Sequence, residues 1–278
     1  RGQIVCGVGK GLQAKGAEEP QGGIAMDRIE KTREKFRELF RAEPTQNEGT
    51  DPEFMRILQR FIFGEVSYAG SLDNRMRELI TITVLTVNQT LPQLKAHVGA
   101  CLNVGLTPEE IREAVYQCAP FVGFPKTLNA IAAMNETFAE RGISLPLADA
   151  QAAAEQTRYE QGLAAQAPIY GSEIAERYAW LPAEFSQCVP KWLTELCFAD
   201  FSLRKGLDQK VRELLTVVML AAMGGAETQV RSHVFGAMRA GNTAEEVVCA
   251  LCHAMPYMGI PRLFNALNCC KDLLSEGK

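Results

Sequence analysis

The stretch HVGACLNVGLTPEEIREAVYQCAPFVGFPKTLN, residues 97–129, decides the fold because the chain contains it a second time. It returns, with substitutions, as HVFGAMRAGNTAEEVVCALCHAMPYMGIPRLFN at residues 233–265, without gaps and at a shift of 136 residues. Extended to residue 135, the alignment has 12 identities in 39 positions. Upstream, Arg77-Glu78-Leu79-Ile80 returns as Arg212-Glu213-Leu214-Leu215 at a shift of 135. Because self-similarity at a fixed period indicates a repeated structural unit, the chain is predicted to contain two copies of one module.

Each copy carries the signals with which helices begin and end. In copy one, Asp73 is a predicted N-cap, and Gly105 is the residue type that tolerates the left-handed conformation just after a helix. Thr107 and Glu110 are typical of a capping box, and Pro120 is predicted to end the helix that this box opens. No segment shows the strict polar–apolar alternation of a half-buried strand, so the sequence predicts an all-α fold. The second copy repeats every signal, at Asp208, Gly241, Thr243, Glu246 and Pro256.

Composition excludes several classes of protein. The 278 residues carry a formal net charge of -4, and nucleic-acid binders usually show a basic patch, so no nucleic-acid partner is expected. No stretch approaches the roughly 18 apolar residues of a membrane span, so no membrane partner is expected. The nine cysteines are odd in number, and several lie in apolar helical patterns, which favours a reducing, cytoplasmic compartment.

The repeat also sets the domain boundaries. Two further helices, at Asp27–Arg41 and Pro52–Phe63, are predicted before the first repeat. Trp180 and Trp192 lie between the repeats and are interpreted as packing at the interface between the modules. The chain is predicted to divide into a flexible N-terminal extension (1–26), a first module (27–145), a linker (146–165) and a second module (166–278).

The two copies share the motifs R-E-L, H-V, G-x-T-x-E-E-[IV], P-[FY]-x-G-x-P and N-A. Together these motifs resemble the carboxymuconolactone decarboxylase family in a tandem form, over roughly residues 60–145 and 195–276. The resemblance implies two alkylhydroperoxidase D-like helical modules packed as a pseudo-dimer. It implies a homo-oligomer in which a trimer of fused chains imitates a hexamer. It also implies a small-molecule substrate, a carboxylated lactone or related acid of aromatic-compound catabolism, that is decarboxylated without a cofactor or a metal.

The same family includes thiol peroxidases of the alkylhydroperoxidase D type. That branch has a C-x-x-C pair four and seven residues before the matching histidine. In this chain the four positions hold no cysteine, since they are Thr90, Gln93, Ala226 and Gln229. Peroxidase chemistry of this type needs a thiolate and a resolving thiol, so it is disfavoured. It stays as an alternative, together with a non-catalytic oligomeric binding protein.

Two matching pairs, Glu78 with His97 and Glu213 with His233, are the candidate catalytic residues. Each glutamate lies in an otherwise apolar helix, where a carboxylate must be paired or have a raised pKa. One interpretation is a proton donor or relay beside the histidine. The other is a structural ion pair with Arg77, Arg212 or another arginine that holds helices together. For His97 and His233, an acid or a carboxylate anchor stands against a hydrogen-bonded structural histidine.

Further residues near the shared motifs are candidates for substrate binding. His253 directly precedes one P-[FY]-x-G-x-P turn region, and the aromatic residues of the two turns can wall a site. Cys249-Ala-Leu-Cys252-His253 spells the C-x-x-C-H pattern of haem attachment. Because the segment lies inside a predicted helix, we interpret these cysteines as core residues. The candidate substrate-binding residues are His253, Gln93, Gln229, Tyr257 and Phe121.

The chemistry that the resemblance implies needs no metal. A β,γ-unsaturated lactone acid can lose CO2 when a donor stabilises the developing dienolate. A glutamate and a histidine can supply that donor and the returning proton. The sequence does not distinguish which of the two modules carries the activity.

Overall fold

A computed structural model describes residues 27–171 and 174–275 of the chain. The described residues form helices and turns and no β-strand, which confirms the predicted all-α fold. The predicted N-terminal extension, residues 1–26, lies outside the described residues. Within the described ranges, no helix combines the length and the apolar character that crossing a bilayer requires.

The two halves of the described chain share the order of their repeated helices and differ in the elements around them. The first half contains α1 (Arg28–Phe40), α2 (Pro52–Gly64), α3 (Asn74–Asn88), α4 (Leu91–Asn103), α5 (Pro108–Tyr116), α6 (Ala119–Val122) and α7 (Phe124–Glu140). The second half contains α8 (Arg158–Tyr170), α9 (Ile174–Arg177), α10 (Ala183–Leu193), a π-helical segment (Thr194–Ser202), α11 (Gln209–Met223), α12 (Glu227–Arg239), α13 (Ala244–Met258), α14 (Ile260–Cys269) and α15 (Lys271–Ser275).

The matching helices α3 and α11 lie at the centre of the molecule. Asp73 caps α3 by accepting from the Met76 amide, and Asp208 caps α11 in the same way. Every residue from 77 to 87 of α3 and from 212 to 222 of α11 is buried. A helix that is buried all round must pack against neighbours on every side. Here each central helix contacts its own module, the other central helix and a helix of the other module.

The two modules interlock rather than stand side by side. Helix α13 of the second module packs on α3, and α6 of the first module packs on α11. The buried apolar residues of both modules form one continuous core. The two tandem copies are therefore packed as a pseudo-dimer, as predicted, and any site beside a central helix takes residues from both modules.

A second helical pair precedes the second repeat and has no motif in the sequence. Helix α8 packs against the π-helical segment and against α12, as α1 packs against α2 and α4. The predicted linker, 146–165, is therefore only partly extended, because α8 begins at Arg158. The end of α1 and the end of α8 both place an aromatic residue beside the histidine of their module.

Two sequence-based expectations are wrong. Helix α13 does not end at Pro256 but continues to Met258 and stops before Gly259, which has a φ of 92°. A proline removes one amide donor and crowds one preceding carbonyl, and the last turn of α13 tolerates that loss. Trp180 and Trp192 do not pack between the modules, since they are 76% and 57% exposed.

Candidate active site

Glu78 and Glu213 occupy matching places near the start of the central helices. Their exposures are only 1% and 5%. A carboxylate in such a place is costly unless hydrogen-bond donors compensate it. The adjacent arginines are not these donors, because Arg77 donates to backbone carbonyls and Arg212 donates to Glu113 and to the carbonyl of Arg204. The alternative of an ion pair between each glutamate and its neighbouring arginine is therefore not what the structure shows.

The first pair consists of Glu78 and His97, and neighbouring side chains shield it from solvent. The Nδ1 atom of His97 lies 2.8 Å from Oε2 of Glu78. The ring of Phe40 from α1 meets the imidazole edge-on at 5.5 Å, and the ring of Tyr257 from α13 does so at 5.6 Å. The His97 side chain is 8% exposed. Rings from both modules thus cover this pair.

Arg77 binds backbone oxygens and a histidine of the other module. Its guanidinium donates to the carbonyls of Leu72 at 2.8 Å and Ala69 at 2.6 Å. Its Nη1 atom lies 3.4 Å from Nδ1 of His253. Because arginine only donates, Nδ1 of His253 is the acceptor there.

His253 is a neutral histidine in the closed site. Its Nε2 atom lies 3.0 Å from the hydroxyl of Thr81, which itself donates to the carbonyl of Arg77. Nε2 therefore carries the ring hydrogen and donates it to Thr81. Burial, with the nearby charge of Arg77, lowers the pKa of His253 to about 3. This predicted substrate-binding residue is 2% exposed and acts as a hydrogen-bonded partner of Arg77.

The second pair joins Glu213 to His233 and has an additional partner. The Nδ1 atom of His233 lies 3.1 Å from Oε2 of Glu213. Tyr170, at the end of α8, donates its hydroxyl to that same oxygen and lies 2.7 Å from Nδ1 of His233. Gln209 donates to the other carboxylate oxygen at 2.9 Å. Burial raises the pKa of Tyr170, so the phenol keeps its proton.

These bonds fix the tautomer of His233. The hydroxyl proton of Tyr170 goes to Glu213, so Nδ1 of His233 must be the donor toward the two oxygens. The other ring nitrogen, Nε2, is then the atom that can take or give a proton. The His233 side chain is 20% exposed, more than that of His97.

A cavity of about 40 Å³ opens beside the second pair. Phe121 is part of its wall and meets the His233 ring edge-on at 5.8 Å. The lining residues come from both modules: Gln117, Pro120, Phe121, Cys197, Phe198, Phe201, Ser202, Gln209, Arg212, Glu213, Thr216 and His233.

Two polar side chains that line this cavity, Arg212 and Gln117, belong to a buried cluster of charged and polar residues from both modules. Arg212 donates to Glu113 at 3.2 Å and to Oε1 of Gln117 at 3.3 Å. Glu113 is fully buried and also accepts from Arg204 at 2.9 Å. The Nε2 atom of Gln117 is buried and, within the described residues, has no hydrogen-bond partner. Gln117 is itself one of the residues that line the cavity.

The remaining candidates lie in different places. Gln93 and Gln229 are exposed on the first turns of α4 and α12, one turn before the histidines, and the structure does not bring them to either pair. Phe121 and Tyr257 are placed beside the histidines, each beside that of the other module.

Sequence reasoning missed Tyr170, Phe40 and Arg212 as parts of the sites. Arg212 was visible in the repeated R-E-L motif. Tyr170 and Phe40 lie outside the repeated motifs, so no pattern in the sequence identified them.

The cysteines are not arranged as a peroxidase pair. Cys249 is buried and donates to the carbonyl of Ala69 at 3.2 Å. Burial raises the pKa of Cys252, which disfavours the thiolate that such chemistry needs. The positions four and seven residues before His97 and His233 hold no cysteine.

Comparison with known proteins gives one family and a few relatives. The family model described as the carboxymuconolactone decarboxylase family matches twice, at residues 52–136 and 188–272, which confirms the tandem form. The 4-carboxymuconolactone decarboxylase of Acinetobacter baylyi is 33% identical over 92 residues, which are 33% of this chain and 69% of the relative. The nitrosuccinic acid decarboxylase of Metarhizium robertsii is 28% identical over 124 residues, which are 43% of this chain and 86% of the relative.

A solved structure is also similar in part. It is a putative γ-carboxymuconolactone decarboxylase subunit from Burkholderia xenovorans LB400, with a TM-score of 0.49 and 20% identity. The superposition covers 88% of this chain and 97% of that chain. The sequence relatives, two decarboxylases, support a carboxy-lyase type of activity.

Proposed function

Because the chain belongs to the carboxymuconolactone decarboxylase family, we propose that it is a cofactor-independent decarboxylase of a small carboxylated lactone or related acid, as arises in the breakdown of aromatic compounds. The second pair, Glu213 with His233, is the proposed catalytic site. The observation that supports this choice is the cavity beside that pair, whose lining includes Arg212 and Gln117; the amide nitrogen of Gln117 has no hydrogen-bond partner among the described residues.

The proposed decarboxylation takes up one proton for each CO2 that it releases. The bond between the ring carbon and the carboxylate carbon breaks, and CO2 leaves. The electron pair enters the conjugated lactone, where a hydrogen-bond donor stabilises the dienolate. One proton then returns to the carbon skeleton from Nε2 of His233, which water reprotonates. Glu213 stabilises the imidazolium while His233 holds that proton.

The polar groups divide between binding and proton transfer. The amide of Gln117 and the guanidinium of Arg212 suit a carboxylate or lactone oxygen that stays on the product. The apolar rings of Phe121 and Phe198 suit the leaving carboxylate, since loss of its charge as CO2 is easier where water is scarce. Tyr170 and Glu213 hold the imidazole in one tautomer and orientation.

The cavity must enlarge to admit such a substrate. Its 40 Å³ is room for about one water molecule. A ring-sized acid needs several hundred Å³, so at least one of the aromatic side chains in the wall moves when substrate enters.

The experiment is CO2 release from 4-carboxymuconolactone by the purified chain without added cofactor. Glu213→Gln and His233→Asn are expected to lower kcat/KM by about 10²- to 10⁴-fold, the usual contribution of a positioned acid or base. Glu78→Gln and His97→Asn are the matched controls in the closed site and are expected to retain most activity. No turnover by a folded wild-type chain contradicts the proposed substrate, and equal losses in both sets contradict the assignment to the second pair.

A further inference from the structure

A second, larger cavity lies between the two modules. It has a volume of about 370 Å³, within the range of small-molecule sites. Three pairs of its lining residues are repeat equivalents, at shifts of 135 or 136 residues. These pairs are Val87 with Ala222, Asn88 with Met223, and Lys126 with Arg262. The cavity therefore lies on the pseudo-two-fold axis that relates the modules.

The charged side chains that line this cavity in the described part of the chain are all cationic. Lys126 and Arg262 are both cationic, and none of the described residues that line the cavity is acidic. Neither side chain takes part in an ion pair with any described residue. Arg262 is held in place by a bond from its Nη1 atom to Oδ1 of Asn88 at 3.2 Å. Both cations lie in the first turn of a helix, α7 or α14, where the helix dipole adds to the positive potential.

Phe121 separates this cavity from the catalytic one. Its side chain lines both cavities, and its ring meets the imidazole of His233 at 5.8 Å. Phe121 is the one residue that the described linings of the 370 Å³ and the 40 Å³ cavities share. The larger cavity is therefore placed as an entrance to Glu213 and His233.

We propose that the cavity between the modules is an anion-binding vestibule for small di- and tricarboxylates, held by Lys126, Arg262 and Asn88. Two cations in one concave site raise the local concentration of a polyanion, and a carboxylate matches the fork of an arginine. The proposed anion site rests on the volume of the cavity and on the charges of Lys126 and Arg262. Its role as an entrance rests on the proposed function.

The binding test uses the probe tricarballylate (propane-1,2,3-tricarboxylate) in calorimetric titrations of the full chain. Wild type is expected to bind it, with an affinity that falls as salt is added. Lys126→Gln/Arg262→Gln is expected to weaken binding at least 10-fold. The control Lys95→Gln/Arg231→Gln removes the same charge from surface ion pairs elsewhere and is expected to bind like wild type. The single variant Lys126→Gln, at an exposed position, gives a folded protein if the double variant does not fold.

The outcomes separate this proposal from the decarboxylase proposal. Glu213→Gln is expected to bind the probe like wild type even though it lacks activity. Absence of binding by wild type, or equal binding by the Lys126/Arg262 variant, overturns the vestibule whether or not CO2 is released. If the chain is an active decarboxylase, the same variant is expected to raise KM about 10-fold and to change kcat by less than about threefold. An unchanged KM overturns the entrance role.

Discussion

At the scale of single residues, the second site depends on a glycine. A Cβ atom on Gly236 would lie 2.2 Å from the hydroxyl oxygen of Tyr170 and 3.0 Å from Oε2 of Glu213. Contacts this short do not occur, so a side chain at position 236 must displace the phenol. The repeat equivalent of Gly236 is Ala100, and among the described residues no tyrosine hydroxyl bonds Glu78 or His97 as Tyr170 bonds the second pair.

Gly236→Ala is therefore expected to destabilise the chain by about 1–3 kcal/mol, the usual cost of overpacking. In a Tyr170→Ala background the same change is expected to be neutral or stabilising, because alanine favours a helix interior over glycine by up to about 1 kcal/mol. Urea unfolding of the four proteins measures this coupling. Equal costs in both backgrounds would show that Tyr170 does not depend on the glycine.

Some residues of the candidate sites could be identified from the sequence alone. Glu78, His97, Glu213 and His233 could be identified because duplication marks them twice, and the structure does join them into two pairs. Their catalytic role stays a prediction. Tyr170 could not be identified, because it joins the pair from a helix that precedes the repeated motifs.

At the scale of helices, the sequence predicted best those helix ends that carry a capping residue. Both predicted capping boxes form, at Thr107 with Glu110 and at Thr243 with Glu246. The end of α13 was not predicted, because the cost of Pro256 in a last turn is offset by packing that no local pattern reveals.

Helices α7 and α14 present matching apolar side chains to solvent. Leu128 is 62% exposed and its repeat equivalent Phe264 is 57% exposed. We propose that these helices join copies of the chain in the expected trimer, since exposed apolar patches mark association sites. Light scattering is expected to give three times the 30.6 kDa chain mass for wild type and the single-chain mass for Leu128→Glu/Phe264→Glu.

A control variant tests whether any exposed apolar pair has this effect. Phe54 and Ile57 are a second exposed apolar pair, on α2, and are 63% and 59% exposed. Phe54→Glu/Ile57→Glu is expected to keep the mass of wild type. A single-chain mass for wild type itself would contradict the proposed assembly.

At the scale of the whole molecule, the repeat predicts the pseudo-dimer but not the difference between its two sites. Each site takes residues from the opposite module, so substitutions in one repeat alter the site of the other. Glu113 and Gln117 of the first module bind Arg212. Their equivalents, Cys249 and His253, lie beside Arg77. The sequence shows these substitutions, but which site they reach depends on how the modules interlock.

The neutral His253 makes the stability of the whole chain depend on pH. Its pKa is about 3 in the folded chain and about 6.5 in an unfolded one. Between these values the unfolded chain binds a proton that the folded chain does not. This contribution to stability is complete above about pH 6.5, and it is lost progressively as the pH falls toward 3, with a slope of up to about 1.4 kcal/mol per pH unit.

His253→Gln is the matched change, because the equivalent residue of the other module is Gln117. A glutamine can accept from Arg77 and donate to Thr81 as the neutral imidazole does, but it does not titrate. Urea unfolding from pH 7.5 to 4 is expected to give similar stabilities at the upper end and a shallower loss for the variant below about pH 6. Parallel curves for the two proteins would mean that His253 does not oppose protonation in the fold, and the loss of stability in acid would then arise at other groups.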